Sequence, residues 1–243
     1  MSPIASRLLL ATGAVVLGAV LLHLARRPTG NPPGPATVAP PVTASFPPLA
    51  YEPFAIGEPA GPADRPMVTN VQIADLDQDG LPDILYSECR RNTVRWIRQA
   101  PRGVFTEQVL AHDLPAPASL SVADVQGSGR RDVLVACMGQ IMPNNDRIGS
   151  VVVLENLDNR TFRARTLLDR TARVTDVRAA NLAGHPDNRL DLVVGQFGYA
   201  QGEVRWMKNL GDWQFESQLV NRQSGTVHTP VADFDGDNQP DFE

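Results

Sequence analysis

The sequence predicts an all-β fold, a propeller-like array of four-stranded blades, and three observations carry that expectation. An acidic segment recurs every fifty or so residues beyond Met67, each complete copy is followed by a β-branched run and a second strand pair, and no helical spacing appears after residue 26. Four short strands per repeat, joined by polar turns, is the period of a propeller blade. About three blades plus the start of a fourth fit into residues 67–243, so the last blade reads as truncated.

The N-terminal element is of another kind. Leu8 to Ala25 is an apolar run of eighteen residues, broken only by His23 and bracketed by Arg7 on one side and Arg26 and Arg27 on the other. That is just long enough to span a bilayer. Cleavage after Ala25 would place His23 where a small residue is required, so residues 1–27 read as an uncleaved signal-anchor, a transmembrane helix. The flanking charges are nearly balanced and leave the orientation open. Residues 28–66 decide it: they hold twelve of the 21 prolines without apolar periodicity, as in an extended, disordered tether that carries a folded head away from a membrane. The expected location is the periplasm or the cell exterior.

Composition narrows the function. The 243 residues carry a formal net charge of −5, with 22 basic against 27 acidic side chains, which leaves no surplus for phosphate backbones and excludes a nucleic-acid partner. Cys89 and Cys137 are too few for a disulfide framework and form no C-x-x-C pair, which argues against zinc and thiol redox chemistry.

The four acidic segments are Val71–Asp83, Leu120–Asp132, Val177–Asp191 and Thr229–Asp241. Their loops begin at Asp75, Asp124, Asn181 and Asp233, at spacings of 49, 57 and 52 residues, each preceded by an alanine. Ile84–Tyr86, Val133–Val135 and Leu192–Val194 follow as strands, and a hairpin comes next in which Phe105, Phe162 and Phe215 correspond, as do Trp96, Val153 and Trp206. The D-x-D-x-D-G-x-x-D loop, the apolar strand after it and the later N-L-x-x-x-x-F hairpin resemble the FG-GAP/VCBS repeat family over residues 67–243, with Phe197-Gly198 supplying a Phe-Gly pair. The resemblance implies calcium-bearing β-propeller blades like those of the integrin α head, found mostly in extracellular proteins and in accessory domains of secreted enzymes. It implies no single activity.

In the first loop Asp75, Asp77 and Asp79 stand at positions one, three and five, Gly80 turns the chain at six, Leu81 offers a carbonyl at seven and Asp83 closes at nine. Such hard oxygen donors on a flexible loop suit Ca²⁺ better than Mg²⁺, which demands a rigid octahedron. The fourth loop repeats the set with Asp233, Asp235, Asp237 and Asp241, and Asn238 replaces the glycine. The second, with Asp124, Gln126, Ser128 and Asp132, keeps oxygens but loses two charges. Asn181, Ala183 and a two-residue insertion remove the third from consideration. The expected role of the cation is structural.

Groups for catalysis are few. No G-x-S-x-G, H-E-x-x-H or phosphate-binding glycine loop occurs, and His112 and His185 read as solvated loop residues. Polar residues recur five positions ahead of each loop, at Asn70, Ser119, Asp176 and His228, and five after three of the closing aspartates, at Glu88, Cys137 and Gln196. Both sets are expected at the end of the sheets opposite the loops, near a central axis, where they would form a ligand funnel. Strand alternation sets Cys89 and Cys137 on opposite faces and disfavours a disulfide. The resulting expectation is a membrane-anchored, calcium-binding module that binds a protein or carbohydrate, with self-association through an open blade edge. A propeller of a secreted polysaccharide-active enzyme and a fragment of a longer propeller remain as alternatives.

Overall fold

A computed structural model describes residues 50–59, 61 and 64–242. The Leu8–Ala25 run and the Pro-rich stretch up to residue 49 lie outside the described residues; among the described residues no helix is long and apolar enough to cross a membrane.

The first sheet contains β1 (Val68–Ala74), β2 (Asp83–Glu88), β3 (Thr93–Gln99) and β4 (Phe105–Ala111), each paired antiparallel with the next. The second is β5 (Pro117–Ala123), β6 (Asp132–Cys137), β7 (Gly149–Asn156) and β8 (Phe162–Thr171), and the third is β9 (Arg173–Ala180), β10 (Asp191–Phe197), β11 (Glu203–Gly211) and β12 (Gln214–Asn221). A two-stranded ladder of β13 (Val231–Ala232) and β14 (Asp241–Phe242) follows. Sequence dictates which strands go inside. β6 (DVLVAC) is apolar on both faces and buried throughout, whereas β12 (QFESQLVN) is largely polar and exposed along most of its length.

Register explains the recurring alanine. Ala74 pairs with Asp83, Ala123 with Asp132, Ala180 with Asp191 and Ala232 with Asp241, so every acidic segment is the connection that closes the first hairpin of its repeat.

Two apolar cores join the sheets. Leu85, Val94 and Trp96 of the first sheet meet Leu120, Val133, Val135 and Leu154 of the second, and Phe162 presents its edge to Trp96 at 6.1 Å between ring centroids. On the other side of the second sheet, Leu134, Val151 and Val153 meet Val177, Leu192, Val194 and Met207 of the third. Each fully buried Leu or Val contributes about 1.5–3 kcal/mol. The second sheet is thus covered on both faces, and the first strands lie side by side, β1 against β5, β5 against β9 and β9 against β13. By contrast Val71 and Ile73 on β1 are exposed, although their counterparts Leu120 and Val122 pack into the first core.

Part of the Pro-rich stretch is docked on the first sheet. Gly57 sits against Ile97, the Glu58 amide donates to Glu107 Oε2, and Arg91 binds Asp64. Glu107 gathers this region: it also accepts from Tyr86 Oη and Arg95, and although burial opposes ionisation, these bonds hold its carboxyl below the usual range. Burial and the Glu107 carboxylate push Tyr86 up to about 12.

Candidate functional site

The loops are built alike from their first residue. Asp75 accepts the amides of Asp79 and Gly80, Asp124 those of Ser128 and Gly129, and Asp233 those of Asp237 and Asn238. The chain then turns through left-handed conformations at positions four and six, at Gln78 and Gly80, Gly127 and Gly129, and Gly236 and Asn238. Gln78 and Asn238 pay a steric cost there that the glycines avoid. In the third loop Gly184 keeps the first of these turns and Asn188 the second, so the two extra residues lie between them.

The closing aspartate is a clasp. Asp83 accepts the amides of Leu76 and Gln99, and Asp132 those of Val125 and Asn156, so each ties its own loop to the end of the third strand of its sheet. Both are buried, which raises their pKa values; Asp132 is pushed up to about 6 by desolvation, against the lowering effect of its two amides.

Carboxylates converge in two loops. Oxygens of Asp75, Asp77 and Asp83 lie within 4.8 Å of one another, as do those of Asp233, Asp235 and Asp237. Asp77 is the decisive residue of the first set. Its side chain is 1% exposed; Oδ2 takes Arg98, and Oδ1 is buried without a partner among the described residues. Arg98 also reaches Asp79 at 2.8 Å, and Arg160 from the β7–β8 hairpin comes within 3.4 Å of Asp77. A cation in this loop would satisfy the orphaned oxygen, so these residues fit one. In the fourth loop the three carboxylates are exposed, and the fit rests on the donor set alone. The second loop assembles less: Gln126 turns its amide toward Asn209 of the third sheet, 3.5 Å away, and the Ser128 hydroxyl bonds Asp124.

The third loop replaces acid with base. His185 is buried rather than solvated, with Nε2 at 2.8 Å from Asp191 Oδ1, and Arg189 donates to its Nδ1. Asn181 brackets the turn by exchanging hydrogen bonds with the His185 backbone.

At the first strands, Ser119 and Asp176 come together and His228 lies beside them. Ser119 Oγ donates to Asp176 Oδ1 at 2.9 Å, the Thr229 amide to Oδ2 at 3.0 Å, and His228 Nδ1 stands 3.7 Å away. Asn70 is also at this level, bound to the Leu120 amide and to Gln72. A cavity of about 550 Å³ opens here, bordered by β1, β5, β9 and residues 228–231.

A family model described as an FG-GAP-like repeat matches residues 75–135 and 186–242. The chain carries FG-GAP-like repeats. No curated protein matches it.

The second half of the expected funnel does not form. Glu88, Cys137 and Gln196 are wholly buried, because each lies at or next to the end of a central strand of its FG-GAP-like repeat, with a paired strand on either side. Glu88 accepts the amides of Met67, Arg90 and Arg91 and so shapes a turn, Gln196 accepts from Thr171, and desolvation pushes the Cys137 thiol up to about 12. Cys89 and Cys137 are both buried free thiols. Conversely, Gln72, Ser121 and Arg178 line the cavity three positions ahead of their loops. Strand alternation carries that signal, since residues two apart share a face with Asn70, Ser119 and Asp176.

Proposed function

We propose that the chain is a binding module rather than an enzyme: a propeller-type array whose first acidic loop holds calcium and whose axial cavity receives a ligand. The observation that carries this reading is the buried, unpartnered Oδ1 of Asp77 beside Asp75 and Asp83. An oxygen left in that position costs about 1–3 kcal/mol, more when charged, and a hard cation is the partner that carboxylates at this spacing suit. Asp75, Asp77, Asp79 and Asp83, with the Leu81 carbonyl, would hold the ion, which supplies charge neutralisation and pins the β1–β2 hairpin. The propeller arrangement draws support from the successive packing of first strands around one cavity. Against a glycosidase stands the composition of that cavity, where Asp176 is the one lining carboxylate and both of its oxygens already accept hydrogen bonds.

Equilibrium dialysis with calcium tests the metal reading. At least one bound ion is expected, and Asp77→Ala should remove it; a wild-type chain that takes up no calcium would overturn the assignment. The membrane reading, with a head on the periplasmic or outer side, rests on Leu8–Ala25 and its flanking arginines. Protease added to intact spheroplasts should release a soluble piece beginning within residues 28–66, and complete protection would place the head in the cytosol.

A further inference from the structure

We infer that the axial cavity takes a hydroxylated carboxylate of the uronic-acid class, held by Arg178; the inference rests on the reading of the chain as a binding module and names its ligand. The argument begins with Asp176. It is fully buried, and three donors occupy both of its oxygens: the Ser119 hydroxyl on Oδ1, and the Thr229 amide and Arg178 Nε on Oδ2. A carboxylate so committed has little capacity left for a ligand. It aims Arg178.

Arg178 uses only Nε in that bond, at 3.1 Å, and its terminal N–H groups have no partner among the described residues. Its side chain is 30% exposed and lines the cavity. A guanidinium anchored at Nε presents its remaining donors as a planar fork, the geometry that matches a carboxylate. His228, exposed at the rim, adds a ring nitrogen.

The opposite wall offers acceptors. Asn70 Oδ1 is fixed as an acceptor by the Leu120 amide, so the neighbouring Gln72 presents its NH₂ to it and keeps Oε1 uncommitted. Ser121 spends its proton on the Val177 carbonyl, which leaves the hydroxyl oxygen as an acceptor. The cavity therefore has a forked cation on the β9 side and neutral acceptors for hydroxyl groups on the β1 and β5 side. Small apolar side chains, Ala179 and Val231 among them, lie between. Its volume of about 550 Å³ falls in the range of small-ligand sites, about 300–1,000 Å³.

Charge selects within the anions. With His228 neutral, Arg178 and Asp176 sum to zero, so a monoanion leaves the cavity at −1, whereas a phosphate dianion would face the Asp176 carboxylate with twice the charge. An acidic peptide side chain would satisfy the fork but bring no hydroxyl donors to Gln72 and Ser121. A uronate does both.

The test titrates the full chain in calcium with D-galacturonate, D-galactose, glutarate and a poly-glutamate peptide, using calorimetry or amide NMR shifts. Galacturonate should bind at least about tenfold more tightly than galactose or glutarate, the worth of one charge-assisted fork or of a matched pair of hydroxyl bonds. Arg178→Ala should abolish binding. Arg178→Lys, which keeps a cation beside Asp176 and so protects the fold, should weaken it by about tenfold or more, and Gln72→Ala by several-fold. Absence of galacturonate binding, equal binding of galactose, or equal or tighter binding of glutarate or the peptide would overturn the inference. Melting curves of the same samples with and without calcium separate the two levels: a calcium shift without galacturonate binding defeats the ligand assignment alone, and galacturonate binding without a calcium shift defeats the metal reading alone.

Discussion

Asp77→Asn is the substitution that separates a metal loop from an acidic turn. Asparagine keeps the shape and removes the charge at a side chain that is 1% exposed. Two opposed contributions then change in the cation-free protein. The ion pair with Arg98 is lost, although the amide oxygen can still accept its Nε–H, while the burial cost of one carboxylate charge is relieved; the atom in the Oδ1 position stays without a partner, now as NH₂. In chelator the two contributions oppose each other and the variant should melt close to wild type. With calcium at about a thousand times its dissociation constant, linkage to a site present only in the folded chain stabilises wild type by about 4 kcal/mol. For a chain of 150–250 residues that corresponds to about 8–16 °C in Tm. Asp77→Asn should lose most of this shift, and magnesium should restore little of it in wild type. Scanning calorimetry or fluorescence melts, with calcium and with chelator, read all four states. Superimposed wild-type curves would show that the loop is an Asx-type turn, and a variant retaining the full shift would move the ion away from Asp77.

Trp96→Ala should destabilise the head by about 3–5 kcal/mol, since it empties a fully buried site and removes the edge contact with Phe162; urea denaturation measures it, and a loss below 1 kcal/mol would mean that the first two sheets do not share a core. In chelator, the Asp132 carboxyl should titrate near 6 by carbon NMR. Because its folded pKa lies above the unfolded value near 3.8, its contribution is fully present below about pH 3.8 and is lost as pH rises through about 6; a carboxyl titrating below 4 would refute the burial argument. Glu107→Gln should weaken the bonds to Arg95 and the Glu58 amide and speed proteolysis within residues 57–66, with unchanged cleavage showing that the segment is held by other contacts.

The strands were legible because the four acidic segments mark the same turn in each repeat, and the pairing of Ala74, Ala123, Ala180 and Ala232 with the closing aspartates follows from that spacing. The first-strand half of the cavity was legible too, since Ser119 and Asp176 occupy equivalent strand positions and do meet. Glu88, Cys137 and Gln196 misled because a regular offset says where a residue lies along a strand and nothing about whether neighbouring strands cover it. Arg178 lies two residues beyond Asp176, and strand alternation puts both on the cavity face, which the recurring offset alone does not mark. His185 was read as solvated since a two-residue insertion hides that its imidazole folds back onto Asp191. The docking of Asp64 and Glu58 on the first sheet was illegible for a further reason: proline content signals extension and is silent about long-range ion pairs.

The aspartate clasp has a consequence for how such a chain can diverge. Asp83, Asp132 and Asp191 each hold an amide at or near the end of the third strand of their sheet, through Gln99, Asn156 and Asn209, whether or not the rest of the loop is acidic. In the first repeat the clasp and the proposed ion site therefore share Asp83, while Asp75, Asp77 and Asp79 lie outside the clasp. The third repeat sets an imidazole and a guanidinium beside its closing aspartate and still closes its hairpin. Divergence is then left to the other loop positions, because the closing aspartate answers to the backbone in each of the three complete repeats.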